Sequence, residues 1–298
     1  MADAIAVKKK RLALLFVAVV AFGVATFALR GPYISNALEK VILPELEMAS
    51  GRQVTVKRIY INLFPLFAAA RDVKVFDDGK LILSVPMAKA YVNLSGLVSR
   101  KIIIRRLLIK DPEIVASRRQ AEVIIGNISA YLATERKTAV KVKIKTVDVR
   151  RGNLAISDES KELASRVRGL NGEVVIGNAP RINVSAEKVI IKKGDWPEIS
   201  ADVSTSLVVK GGTCQIRRFV VHSFGSKVSG SGEYDGKKGM VKTHIELFLS
   251  TVKRIFNLGR DGSGKMSARG IVTYSNRKIG LDLNISGKFY LQTLMELL

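Results

Sequence analysis

The sequence predicts a mainly β protein with few helices, set behind one N-terminal transmembrane helix, and three observations carry that expectation. Apolar and polar residues alternate with period two along most of the chain after residue 50, clusters such as "DDGK", "GNAP" and "YDGKKG" divide the alternating runs, and a long uninterrupted apolar run lies near the N-terminus. Alternation marks strands with one apolar and one wet face, and clusters of Gly, Asn and Asp mark the turns between them.

Taken in order, residues 1–11 are a basic cytoplasmic tail ending in "KKKR", and residues 12–30 are the membrane span. The eighteen uncharged residues from Leu12 to Leu29 satisfy the lower limit of about 17 for a helix that crosses a bilayer. A cleavable signal has a shorter apolar run, about 7 to 15 residues, so a retained anchor is expected. Lysines on its N-terminal side keep that end in the cytoplasm and place the bulk of the chain across the membrane. Residues 31–49 read as a juxtamembrane helix interrupted by Pro44.

From there period two takes over, beginning with Val54, Val56, Ile59, Ile61 and Leu63. Helical spacing returns only in short pieces: Ala121 to Arg136, with Val123, Ile124, Ile128, Tyr131 and Leu132 on one side, and two tags holding Val252, Ile255 and Phe256, then Leu291, Leu294, Leu297 and Leu298. Setting Thr251-Val252 over Thr293-Leu294 gives an internal repeat of about forty residues, strands followed by a tag.

Composition narrows the partners. Forty-nine Lys and Arg against 26 Asp and Glu give a net charge of +23, which calls for nucleic acid, an anionic lipid surface or another polyanion. With the bulk of the chain outside the cytoplasm, nucleic acid is not expected and lipid is. The densest basic stretch supplies Arg100, Lys101, Arg105, Arg106, Arg118 and Arg119 as head-group candidates. One cysteine excludes an internal disulfide and any multi-cysteine zinc site.

Motifs for chemistry are weak. "GRDGSGKM", Gly259 to Met266, resembles a phosphate loop but puts Met266 where a hydroxyl belongs, and reads as a turn. "SGSGEY" holds glycines within a strand pattern, the mark of a bulge or bend. His222 and His244 lack ligand spacing, Cys214 reads as a packing or surface thiol, and the carboxylate pairs Asp77-Asp78 and Asp158-Glu159 read as solvated turn charges. No enzyme activity, metal or cofactor is expected.

The apolar sides of the strands must be covered. The residues concerned are Val140, Val142, Ile144, Val147 and Val149, then Ile245, Leu247 and Leu249, then Ile279, Leu281, Leu283 and Ile285. A second sheet or a closed barrel would cover them; so would acyl chains lying in a curled trough.

"SGRQVTVKRIYINLFPLFAAARDVKVFD", Ser50 to Asp77, resembles the opening of the AsmA family of cell-envelope proteins (AsmA/TamB/YhdP-like). Gly51, Arg52, Val54, Val56, Pro65, Val73 and Val75 hold the places of that pattern, and "VNLSGLVSRKIIIRRLLIKDPEIVASRR" resembles the next segment, with Pro112 closing its strand. "HSFGSKVSGSGEYDG" and "MSARGIVTY" resemble the Gly-marked strands that follow. The resemblance implies an AsmA-like α+β module over residues 50–138 and a repeating, taco-like β-groove over residues 139–298, an elongated and curved antiparallel sheet. It also implies a single-pass protein of the bacterial inner membrane, its bulk periplasmic, that carries phospholipid between inner and outer membrane in outer-membrane biogenesis, with envelope proteins or further copies of itself as partners. Members are usually much longer, and this chain reads as an N-terminal portion or a short member. The alternative is a membrane-anchored β-sandwich that assists outer-membrane protein assembly.

Overall fold

The computed structural model describes residue 24 and residues 32–63, 65–93, 101–133, 141–195, 198–248, 250–251, 264–275 and 278–289. The expected membrane span lies outside the described residues apart from Val24, and no described helix is long and apolar enough to cross a membrane. Both helical tags also fall outside, except for Ser250 and Thr251.

The first helix, α1 (Pro32–Ser50), runs through Pro44 without the expected interruption. Pro44 and Lys40 are both exposed, so water can reach the carbonyl that loses its N–H partner. The "SGR" motif ends this helix. Gly51 takes a left-handed φ of +65 and its N–H bonds the Glu47 carbonyl at 2.7 Å. The Asn127 amide donates to the Ser50 carbonyl at 3.0 Å, and a Cβ at Gly51 would overlap that amide.

Five strands follow: β1 (Gln53–Leu63), β2 (Leu66–Asp77), β3 (Lys80–Asn93), β4 (Lys101–Lys110) and β5 (Glu113–Ser117). Helix α2 (Arg118–Ala133) begins in a capping box, the Ser117 N–H donating to Gln120 at 2.9 Å and the Gln120 N–H to Ser117 at 3.2 Å. Ten further strands follow among the described residues: β6 (Lys141–Ile144), β7 (Thr146–Asp158), β8 (Leu163–Val175), β9 (Arg181–Lys193), β10 (Ile199–Lys210), β11 (Thr213–Ser223), β12 (Ser226–Tyr234), β13 (Lys238–Phe248), β14 (Gly264–Ser275) and β15 (Lys278–Phe289).

All fifteen belong to one sheet whose order follows the chain from β1 to β15, with β5 and β6 seated beside β3, β4 and β7. The expectation of a wholly antiparallel sheet is corrected. β4 pairs in parallel with β6 and β7, and β5 in parallel with β7. The cause is α2: a helix between β5 and β6 carries the chain back along the sheet, and the next strand must then run the same way as the last. This junction joins the N-terminal segment to the later strands within one sheet.

The first edge is covered. α1 lies along β1, where Ser35 Oγ accepts the Ile59 N–H at 3.0 Å and Glu47 accepts the Val54 N–H at 3.1 Å, giving two outward amides of that strand a partner. Buried side chains concentrate here, in clusters of Val54, Val75 and Ile82 and of Tyr60, Phe67 and Ala69. Asp77 departs from its reading as a solvated turn charge. It is 8% exposed, ends β2, lies 2.8 Å from Arg52 Nε and accepts a 2.8 Å bond from Gln120, tying β1 and β2 to the start of α2.

Beyond the junction, bulges interrupt β7 near Arg151, β8 near Gly169, β9 between Ala186 and Val189, and β11 between Ile216 and Phe219. Glycines sit at close backbone contacts in the last strands. A Cβ at Gly230 would overlap the Lys242 carbonyl, one at Gly232 the Met240 carbonyl, and one at Gly270 the Asp282 carbonyl. Adjacent backbone comes closer there than a side chain allows. Gly270→Ala is accordingly expected to lower stability by about 1–3 kcal/mol in urea unfolding, while Gly177→Ala, with nothing within 4 Å of its new methyl, stays within about 0.5 kcal/mol.

Candidate functional site

Opposed residues on hydrogen-bonded strands point to the same face, so register alone fixes what each face carries. One row crosses from Val149 on β7 through Gly172, Val184, Thr205, Phe219, Gly230, Thr243 and Gly270 to Leu283 on β15. Beside it, on the same face, run Val147, Val174, Ile182, Leu207, Ile216, Gly232, Val241, Val272 and Leu281. A third row reads Ala186, Val203, Val221, Val228, Ile245, Ala268 and Ile285. None of the three contains a charge. The opposite face reads Asp148, Glu173, Asn183, Ser206 and Arg218 in one part and Ser231, Lys242, Ile271 and Asp282 in another.

The sequence-derived apolar candidates converge on that first face. Val142 and Ile144 sit opposite Ile102 and Ile104 of β4, and Val147 and Val149 opposite Leu107 and Ile109, with a bulge at Arg105 keeping the two pairs on one side. Leu247 opposes Met266, and Ile279 opposes Tyr274, extending the same rows. Val140 and Leu249 lie outside the described residues. Leu154 and Ile156 share the face but escape a reading by strict alternation, because the bulge after Val149 shifts the apolar positions from odd to even numbers. The "RRG" that interrupts the alternation is the available signal.

Depth on this face is inverted relative to a packed core. From β7 to β15 its buried members are Gly152, Ala186, Ser226, Thr243 and Ala268, all small. Its described Val, Leu, Ile and Phe residues are half-buried or exposed, and Ile279, Leu281 and Ile285 reach 70%, 67% and 60% exposure. A sheet facing a second sheet would bury them fully.

The basic candidates do not form one patch. Arg100 lies outside the described residues, and Lys101 begins β4 about 50 Å along the strand direction from Arg118 and Arg119, which open α2. Arg105 is exposed at its bulge. Arg106 is spent in an ion pair with the buried Asp148, which also lies 3.3 Å from Arg150. Arg118 is held by Glu122 at 2.8 Å and Asp158 at 3.3 Å, and Arg119 stands exposed beside it. Asp158 is held below the usual carboxylate range, first by the Ser160 hydroxyl and then by Arg118.

Among the described residues no group of three His, Cys, Asp or Glu is placed to hold a metal. Cys214 is half-buried on the apolar face, opposite Val209 and Tyr234. His244 lies on the polar face, 3.2 Å from Glu246, and its Nδ1 accepts a 3.1 Å bond from Arg269. Most of the "GRDGSGKM" turn lies outside the described residues, and Gly264 within it begins β14.

Comparison of the chain with known protein families, characterised proteins and solved structures gives no match.

The His244 contact sets an expected pH behaviour. The ring hydrogen bond, with the charge of Lys265 at 3.6 Å, holds Glu246 below the ordinary glutamate value. A depressed acid contributes above its ordinary value and loses that contribution as pH falls through the lowered one. NMR titration should show Glu246 protonating at lower pH than a free glutamate, and His244→Ala should move the midpoint upward.

Proposed function

We propose that the chain is an inner-membrane-anchored, non-enzymatic lipid-transfer protein whose apolar sheet face shields phospholipid acyl chains on their way between inner and outer membrane. The observation that carries this reading is the unburied state of the large apolar side chains on one continuous face from β7 to β15. Hydrocarbon is the covering that such a face accepts without strand edges or hydrogen-bond partners. Each methylene taken out of water contributes about 0.8 kcal/mol, so a lipid moved along the face keeps most of what it would lose in leaving a bilayer. Nine strands spaced about 4.8 Å apart give a wall about 40 Å across, longer than the roughly 30 Å hydrocarbon core of a membrane.

The close backbone approach at Gly230, Gly232 and Gly270 supports a curled, groove-like wall rather than a flat one. The anchor at residues 12–30, the periplasmic placement and the AsmA-like origin of residues 50–138 and 139–298 belong to the same proposal. So do partners that complete a bridge between membranes. The competing reading, an anchored β-sandwich, accounts poorly for large apolar residues that remain half-open.

Phospholipid is expected to accompany the full chain through gentle purification and to be found by mass spectrometry. Leu281→Asp, at a 67% exposed position, should cut that lipid several-fold while circular dichroism and melting temperature stay close to the parent. Leu247→Asp and Leu283→Asp should cut it as well, with some loss of stability because both are half-buried. Lipid-free parent protein, or undiminished lipid in Leu281→Asp, would overturn the reading.

A further inference from the structure

The polar face carries its own recess, on the far side of the sheet from the proposed lipid wall. It has a volume of about 850 Å³ and is walled by the start of β3, the β5–α2 junction, the end of β7 with the turn after it, and the start of β8. Four cations line it, Lys80, Arg118, Arg119 and Arg166, against two carboxylates, Asp158 and Glu159. Arg118 is fixed by Glu122 and Asp158, whereas Arg119 and Arg166 are exposed and take part in no ion pair among the described residues. Two large apolar side chains stand open in the same recess, Leu81 at 44% and Val115 at 63% exposure. Val115 is paired across β7 with Ala155, itself paired with Arg166, so apolar floor and cationic rim are adjacent.

Two neighbouring clefts on this face show that the combination is not general. One holds Asp148 and Glu173, with Arg150 already beside Asp148, and the other holds Glu187 and Asp202 with His222. Both favour cations or neutral groups. At the start of α2 the Gln120 N–H is taken by Ser117, so that amide is not offered to an anion.

We propose that this recess binds a phosphate diester bearing short apolar arms, the chemistry of the head group and glycerol of an anionic phospholipid. The guanidinium groups of Arg119 and Arg166 take the phosphate oxygens, and Leu81 and Val115 take the first carbons of the arms. The site is independent of the apolar wall, and its ligand is held by its head rather than by its chains.

The test uses the full chain in dodecyl maltoside, a phosphate-free detergent, and titration calorimetry with dibutyl phosphate and with inorganic phosphate. Dibutyl phosphate should bind more tightly than inorganic phosphate, and the double variant Arg119→Gln/Arg166→Gln should weaken it by about tenfold or more. Both positions are exposed, so circular dichroism should be unchanged. Val115→Ser should bring dibutyl phosphate toward the inorganic ion, while Leu281→Asp should leave binding intact even where it abolishes acyl-chain retention. Equal binding by parent and double variant would overturn the proposal. Inorganic phosphate binding as tightly as the diester would overturn it too, as the mark of a plain anion site.

Discussion

Two strands hydrogen-bonded in register must send their opposed side chains to the same side, and from β7 to β15 this parity is held over nine strands. A single uncorrected slip in a strand would turn every Val, Leu and Ile beyond it toward the lysines. The sheet is not free of slips, yet each bulge is absorbed within its own strand and the apolar rows resume beyond it. Separation of a charged face from an apolar one depends on that correction more than on any buried cluster. Buried apolar residues of substantial size are mostly confined to the first five strands.

The high positive charge follows from the same separation. Lysines and arginines that alternate with apolar residues mostly reach one face, where water solvates them and where they discourage edge-to-edge association. Ion pairs such as Arg106–Asp148 and Arg118–Asp158 use some of the acidic residues, and the cations left over are distributed along the polar face. That distribution suits a long surface near anionic partners, and it explains why the basic residues of Arg100 to Arg119 do not act as one cluster.

Much of this was legible in the residues. The late strands announce themselves because Val241 to Leu247 and Ile279 to Ile285 alternate without a bulge, so periodicity and pleat coincide. The parallel junction was not legible, since it depends on which way α2 returns the chain, a matter of tertiary packing. Asp77 was misjudged for a related reason: "DDGK" is indeed a turn, but its first member faces Arg52 and Gln120, residues far from it in sequence. Leu154 and Ile156 were lost to strict alternation because Arg151 adopts a positive φ of 54 that a count of apolar positions does not register.

The helix laid along β1 has a consequence for how the molecule is made. With Ser35 and Glu47 occupying outward amides of the first strand, that border is closed as soon as β1 has formed against α1. Growth then proceeds from one side only, each new strand templated by the one before it, and from β7 to β15 every described pairing joins strands consecutive in sequence. Such an order keeps the pairings local in sequence and allows the sheet to assemble vectorially, strand upon strand.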